Sequence, residues 1–301
     1  MKKIITLSFL LIFISALYAD NKSTYEKLLK ENKLIELEQH LLLWEKEDPK
    51  NPEMFIAYFN YYLQKGRHST ASIDSNNINT EDELERTYAV ASEILAYANA
   101  RFVYEKENLD NALKYIRKGI QITPNRLDMH FEQIHILYEV EDYSLMADKL
   151  IEVLEISKKL NNKWLWINGV SIAENEAEEF FFDLINDYYY EVAKVKNAGT
   201  YNAVERVSKH QIRLYPNIIY GYNALGALKM RQTHYEEALK YFQQAEKIDK
   251  EDIISMSFIA NCYVSLNDKK KAWEYFIRIE KKGNAEEKEY ARKKLEQLEG
   301  K

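Results

Sequence analysis

Apolar and small side chains recur along the carboxyl-terminal part of the chain with a period of about 34 residues, a length typical of helical repeats. The two clearest units run from Ile219 to Asp252 and from Ile253 to about Gly283. The matching positions are Tyr222, Leu225, Gly226, Ala238, Phe242 and Ala245 in the first unit and Met256, Ile259, Ala260, Ala272, Phe276 and Ile279 in the second. A small residue such as Gly226 would let two helices cross closely while Phe242 fills the space beside it. The pattern predicts an array of packed helix pairs.

This spacing resembles that of the tetratricopeptide repeat (TPR), in which W-x2-L-G-x2-Y is followed by A-x3-F and then a proline. The match has two departures: Lys229 stands where an aromatic residue is usual, and Lys250 replaces the closing proline. The second unit restores the aromatic residue with Tyr263. The resemblance implies an all-α fold, a right-handed superhelical solenoid of TPR-like helix pairs. We expect about six repeats, two of them irregular.

The repeat period also predicts where the array is interrupted. Steps of about 34 residues join Ala112 to Met146 and Val204 to Ala238, whereas about 58 residues separate Met146 from Val204. An insertion of about 24 residues is therefore expected at about 157–181. It contains two tryptophans beside asparagines and a glycine, a composition that does not look like a helix interior.

The amino-terminal part, residues 20–107, is less regular than the rest. A polar stretch without helical periodicity predicts an exposed loop at residues 66–80. A helical pattern then runs from about Glu81 to Glu107. At the other end, the strongly charged segment 285–299 predicts the cap helix that closes a repeat array.

Residues 1–19 are typical of a secretory signal. Two lysines precede an apolar stretch, and small residues stand before Asp20. The apolar run is short for a membrane-spanning helix, although a retained anchor is the competing interpretation. No cysteine lies near the cleavage point, so lipid attachment is not expected. The composition looks bacterial, which places the mature protein in a periplasm or outside the cell, with no stable membrane span after cleavage.

Charge and motif content exclude several functions. The 42 basic and 48 acidic residues give a net charge of −6, which disfavours general binding of nucleic acid or anionic lipid. No phosphate-binding loop, nucleophile elbow or paired-cysteine spacing is present, and no cofactor is expected. His130, Glu132 and His135 come closest to a metal cluster, but no second Glu-x-x-His pair exists to converge on them. Cys262, the only cysteine, is predicted to be a buried core residue.

The TPR resemblance also implies a peptide-binding groove lined by first-helix positions of each repeat. The residues that we select for it are Tyr97, Arg101, Tyr104, Phe131, His135, Tyr138, Asn223 and Asn261. Further first-helix positions in the regular units carry Tyr220, Ala227, Met230, Ile254, Ser257 and Val264. The first six selected residues would form one aromatic patch with a cation nearby. Asn223 and Asn261 resemble the asparagines that hold peptide backbone in peptide-binding repeats, because an amide can both donate and accept.

We therefore expect an exported, non-enzymatic scaffold that binds a protein or peptide in the concave groove. Replacing Tyr104 and Tyr138 by alanine should then weaken capture of the partner. The alternative is a glycan-binding envelope protein that uses the insertion at 164–169, because exposed indoles such as Trp164 and Trp166 stack on sugars. The same tryptophans could instead pin the insertion onto the solenoid. An enzyme would need an acid or nucleophile constellation built across several repeats.

Overall fold

The computed structural model describes residues 21–69 and 102–299, and the regular structure of these residues is almost entirely helical. Two compact units are present. Among these described residues, unit 1 comprises 21–69, 102–141 and Leu165–Ser171, and unit 2 comprises Asp142–Trp164 and 172–299. The prediction of an all-α fold of TPR-like helix pairs is confirmed.

Unit 1 combines five helices with a short antiparallel pair of strands among its described residues. The elements are α1 (residues 21–30), α2 (Leu34–Glu47), α3 (Pro52–Gly66), β1 (Arg67–Ser69), β2 (Phe102–Tyr104), α4 (Lys106–Ile122) and α5 (Leu127–Glu139). The side chain of Asn51 caps α3, since its Oδ1 accepts a hydrogen bond from the backbone N–H of Glu53 at 2.9 Å. Helices α3 and α4 pack against each other, with the rings of Tyr58 and Tyr115 stacked 4.1 Å apart.

The strand pair corrects two expectations. The helix predicted from Glu81 to Glu107 is wrong over residues 102–104, which form β2. The loop predicted at residues 66–80 is wrong over its first four residues, which end α3 and form β1. The sequence Phe-Val-Tyr of β2 has high strand propensity, and this outweighs the helical periodicity read from its surroundings. At the end of the first segment, Lys106 and Glu107 are helical and begin α4. Residues 70–101 of the two segments lie outside the described residues, as does the predicted signal.

Unit 2 consists of eight α-helices among its described residues. They are α6 (Tyr143–Leu160), α7 (Ala177–Lys194), α8 (Ala198–Leu214), α9 (Tyr220–Arg231), α10 (Tyr235–Ile248), α11 (Ile253–Ser265), α12 (Lys269–Lys282) and α13 (Ala285–Glu299). From α9 to α13 each helix packs against the next. A Cβ added at Gly226 would lie 2.5 Å from the ring of Phe242, so glycine permits this close crossing. The turns after α9 and α11 match, with φ of 62° at Thr233 and 61° at Asn267.

The insertion is narrower than its predicted range, because α6 continues to Leu160 and α7 begins at Ala177. Between them lies a 3-10 turn at Ile167–Gly169. Leu165 joins unit 1 through two backbone hydrogen bonds: its N–H donates to the Asn125 carbonyl at 2.8 Å, and its carbonyl accepts from the N–H of Leu127 at 2.9 Å. Across residues 21–69 and 102–299, no helix has the length and apolar character to cross a membrane.

Candidate functional site in unit 2

Unit 2 contains an apolar groove of about 480 Å³ whose walls come from α7, α8, α9 and α11. Its lining residues are Asn186, Tyr189, Tyr190, Val192, Ala193, Thr200, Tyr201, Val204, Ile219, Tyr220, Asn223, Ala224, Ala227, Leu228, Met230, Arg231, Asp252, Ile254 and Phe258. Five of them are first-helix positions singled out from the sequence, namely Tyr220, Asn223, Ala227, Met230 and Ile254. The repeat register brings these positions to one surface because residues three and four apart share a helix face.

The mouth of the groove exposes large apolar side chains. Tyr190 on α7 is 67% exposed and Ile254 on α11 is 58% exposed, although both line the groove. The ammonium of Lys194 lies 4.5 Å from the ring centre of Tyr190. Among the lining residues only Arg231 and Asp252 carry charge, and Arg231 donates to the backbone carbonyl of Ala193. The groove thus offers apolar contact area rather than a charged binding site.

The two asparagines that the sequence predicts to hold peptide backbone are bonded within the chain, and of the two only Asn223 lines the groove. Asn223 Oδ1 accepts from the hydroxyl of Ser255 at 3.0 Å, and its amide nitrogen lies 3.5 Å from Asp252. Asn261, the second predicted backbone-binding amide, donates to the Ser257 carbonyl at 2.8 Å. It also exchanges hydrogen bonds with the Tyr290 hydroxyl. Both amides therefore make contacts that link neighbouring helices, so part of their hydrogen-bonding capacity is used within the chain.

Of the six groove residues predicted in unit 1, the structure describes four. Tyr97 and Arg101 lie outside the described residues. The expectation that Phe131 faces a partner is wrong, because its side chain is packed inward and only 6% exposed. His135 is exposed on α5, and Tyr138 beside it is half-buried.

Tyr104, His135 and Glu139 form a small polar cluster in unit 1. The hydroxyl of Tyr104 donates to Glu139 at 2.7 Å, and His135 Nε2 lies 3.3 Å from the same carboxylate. The hydrogen bond with His135 lowers the pKa of Glu139, and Glu139 in turn raises the pKa of His135. The cluster joins β2 to α5, and Tyr104 is half-buried within it.

Trp164 pins the insertion rather than presenting an indole to solvent. It is 1% exposed, its Nε1 donates to the hydroxyl of Ser157 at 3.0 Å, and its ring stacks on Phe181 with centroids 5.9 Å apart. The expectation that Trp164 stacks on a sugar is therefore wrong. Trp166 is half-buried. An indole is large enough to anchor a loop and needs one acceptor for its N–H, which Ser157 supplies.

His130 and Cys262, which the sequence offered as candidates for metal binding or reactivity, are both buried. His130 is buried, and its Nε2 lies 2.9 Å from the carbonyl of Pro124. Within the parts of the chain that the structure describes, no group of histidine, cysteine or carboxylate side chains could hold a metal ion. Cys262 is fully buried, and burial raises the pKa of its thiol to about 12, so it is a core residue rather than a nucleophile.

Sequence reasoning missed Tyr190 and Tyr201, which complete the groove from α7 and α8. These helices follow the insertion, where the repeat register is lost, so their positions could not be assigned to a groove. The run Tyr188-Tyr189-Tyr190 gave a partial signal: three consecutive aromatic side chains on one helix cannot all face the same core, since successive residues are about 100° apart.

Comparison with known proteins adds a partial family match and remote structural likenesses. The family model described as "Regulator of microtubule dynamics protein 1-3" matches residues 224–301. No curated protein matches the chain.

Solved structures with similar helix arrays include PilW, a type IV pilus biogenesis factor. It has a TM-score of 0.38 and 10% identity, covering 91% of this chain and 98% of PilW. MamA from Desulfovibrio magneticus RS-1 has a TM-score of 0.31 and 15% identity, and the match covers 66% of this chain and 94% of the MamA chain. A tetratricopeptide repeat protein from Parabacteroides merdae has a TM-score of 0.32 and 12% identity, and the match covers 93% of this chain and 98% of that protein's chain. These likenesses are too remote for any function to be carried over.

Proposed function

We propose that this chain is a non-enzymatic binding protein whose groove in unit 2 holds an apolar segment of a partner protein. The observation that carries the proposal is the groove of about 480 Å³ with apolar walls and exposed Tyr190 and Ile254 at its mouth. Large apolar side chains at the surface of a concave site gain free energy when a partner covers them. Tyrosine is also among the residues that contribute most to binding when buried at an interface.

The partner segment that fits best is an amphipathic helix. Extended peptides are held mainly through backbone hydrogen bonds, but the amides of Asn223 and Asn261 are engaged within the chain. A helix satisfies its own backbone and needs only apolar side chains at positions i, i+3, i+4 and i+7 to fill a groove. Recognition would then depend on the shape and apolar character of the groove rather than on charge.

The test uses a displayed library of helix-forming peptides selected on the wild-type protein, followed by fluorescence anisotropy with the selected peptides. Because Tyr190 and Ile254 are exposed, replacing both by alanine should leave the fold intact. We expect the double variant to bind the selected peptides about 10- to 100-fold more weakly. Trp273→Ala is the matched control, since Trp273 is 42% exposed in the same unit but lies outside the groove lining.

Two results would contradict the groove proposal. One is equal affinity of the double variant and the wild type. The other is selection of peptides without regularly spaced apolar residues. The double variant Tyr104→Ala with Tyr138→Ala, measured with the same peptides, tests whether unit 1 also contributes to binding.

We also propose that the protein is exported to a bacterial cell envelope, on the strength of the signal-like residues 1–19. The expected mature chain begins at Asp20. Expression with an epitope tag in a bacterial host, followed by fractionation and mass spectrometry of the amino terminus, tests this. Recovery of the uncleaved chain from the cytoplasm would contradict it.

A further inference from the structure

Unit 1 contains a second cavity, of about 540 Å³, whose walls carry charged and polar side chains. It lies where α1, the start of α3, the end of α4 and the insertion loop meet. Its lining residues are Lys22, Ser23, Glu26, Pro52, Glu53, Thr123, Arg126, Leu165, Asn168 and Gly169. A volume of roughly 300–1,000 Å³ is usual for sites that take small molecules. The binding function proposed for unit 2 makes no use of this cavity.

A network of ion pairs forms one wall. The guanidinium of Arg126 is buried and binds Asp128 through two bonds, Nε to Oδ1 at 2.9 Å and Nη2 to Oδ2 at 2.7 Å. Its Nη1 donates to Glu53 at 2.6 Å. Lys22 lies 3.4 Å from the other oxygen of Glu53 and 3.9 Å from Glu26. Because Arg126 is held by three bonds, this wall is fixed before any ligand arrives.

The insertion loop forms another part of the wall and is also held in place. Leu165 is bonded on both sides to the segment that precedes α5, and Asn168 Oδ1 accepts a hydrogen bond from Lys22. Asn168 and Gly169 both have positive φ, which turns the loop sharply at the rim of the cavity. Within the described residues, the amide nitrogen of Asn168 and the hydroxyl of Ser23 have no hydrogen-bond partner.

The cavity therefore offers both hydrogen-bond donors and acceptors. Each of its two cations is already paired with a carboxylate. Lys22 and Arg126 supply two positive charges, and Glu26, Glu53 and Asp128 supply three negative ones. An anionic ligand would face a small excess of negative charge. A cationic one would find Glu53 and Asp128 already paired with Lys22 and Arg126, and would meet only the largely exposed Glu26. A hydroxyl group both donates and accepts, so it can bond to a carboxylate and to an ammonium or amide without disturbing the ion pairs.

We propose that this cavity is a binding site for a neutral, hydroxyl-rich ligand of the saccharide class. The carboxylates of Glu26 and Glu53 accept from sugar hydroxyls, while Lys22, Ser23 and the amide nitrogen of Asn168 donate to them. Pro52 and Leu165 supply apolar surface for the C–H face of the ring. This assigns a sugar site to the insertion loop without any stacking by the buried Trp164.

Saturation-transfer NMR with four neutral disaccharides, namely maltose, cellobiose, lactose and diacetylchitobiose, tests the site on the whole protein. Glucosamine and glucuronate serve as charged probes. We expect at least one neutral disaccharide to bind, and to bind more tightly than either charged probe. Asn168→Gly keeps the positive φ but removes the amide, and Lys22→Met removes the ammonium. Each should weaken binding of that disaccharide by about tenfold or more.

Asn161→Gly is the matched control, because Asn161 is an exposed asparagine with φ of 52° that does not line the cavity. Circular dichroism of each variant checks that the fold is retained. The groove variant with Tyr190 and Ile254 replaced by alanine should bind the sugar as the wild type does. The sugar-site proposal is therefore tested independently of the groove proposal. The proposal is overturned if no neutral disaccharide binds, if a charged probe binds more tightly, or if folded Asn168→Gly binds unchanged.

Discussion

The groove of unit 2 and the cavity of unit 1 differ in what lines them and in how regular the surrounding sequence is. The groove of unit 2 is built in part by helices α9 and α11 of the regular repeat units, and its walls are mainly aliphatic and aromatic. The cavity of unit 1 is built by the irregular amino-terminal helices and the insertion loop, and its walls hold an ion-pair network. Regular repeats thus supply apolar surface, while the departures from the repeat bring charged residues together.

The energetics of the two regions differ accordingly. The buried parts of the apolar walls are stabilised by close packing, and their exposed parts gain free energy when a partner covers them. A buried guanidinium loses its hydration and is tolerated only when its partners have good geometry. The first region should therefore respond to changes of shape, and the second to the loss of a single charge.

The largest effect is expected for Arg126→Ala in unit 1. The change removes the cation bonded to Asp128 and leaves Glu53 with Lys22 alone, while both carboxylates stay largely buried, at 8% and 14% side-chain exposure. Leaving a buried charge unpaired costs about 3–5 kcal/mol of unfolding free energy. Urea denaturation followed by circular dichroism measures it. Arg292→Ala is the control, because Arg292 is 57% exposed in its pair with Glu280 and its loss should change stability little. If Arg126→Ala and Arg292→Ala lower the unfolding free energy equally, burial of the ion pair does not determine its contribution to stability.

The next largest loss of stability is expected for Gly226→Ala in unit 2. Gly226→Ala introduces a Cβ 2.5 Å from the ring of Phe242, and overpacking of this kind costs about 1–3 kcal/mol. The cost should shrink in a Phe242→Leu background, since the smaller side chain leaves room for the methyl group. A double-mutant cycle in thermal or urea unfolding measures the coupling. If the alanine costs the same in both backgrounds, the close crossing is not what requires glycine at this position.

Gly226 and Phe242 show how much of the structure the sequence could predict. Their roles follow from spacing alone, because a repeated helix pair needs a small residue at the crossing and a large one beside it. The pairing of Arg126 with Glu53 could not be predicted in the same way, since 73 residues separate them and no periodic pattern relates them. For the candidate site, the resemblance to the tetratricopeptide repeat pointed to Tyr220 and Ile254, and both line the groove. Residue type could not reveal that Asn223 bonds within the chain, because an amide suits either use.

Trp164 gives a test of the loop that interrupts the repeats. Ser157→Ala removes the acceptor of the buried indole N–H, and an unsatisfied buried donor costs about 1–3 kcal/mol. In a Trp164→Phe background no donor remains, so the same serine change should cost less. Urea unfolding of the four proteins measures the difference. Identical costs in both backgrounds would show that the hydrogen bond contributes nothing to stability.

The smallest effect concerns the exposed ion pair of unit 1. Glu139 raises the pKa of His135 above the usual value of about 6.5, and His135 lowers that of Glu139 below about 4.5. The histidine contribution is therefore complete below about pH 6.5 and lost as the pH rises through the raised pKa. The glutamate contribution is present above about pH 4.5 and lost as the pH falls through the lowered pKa. The pair stabilises unit 1 most between these limits.

His135→Gln should accordingly destabilise the protein near about pH 5.5 and have almost no effect near about pH 8.5. His135 is 58% exposed, so solvent screening limits the difference to about 0.2–1 kcal/mol. Urea midpoints at the two pH values measure it. Tyr104→Phe is the contrasting variant, because it removes a hydroxyl that donates to Glu139 and stays protonated over this pH range. The loss of stability that it causes should therefore persist at the higher pH. A His135→Gln effect that is equally large at both values would mean that packing on α5, rather than the charge of the imidazolium, accounts for it.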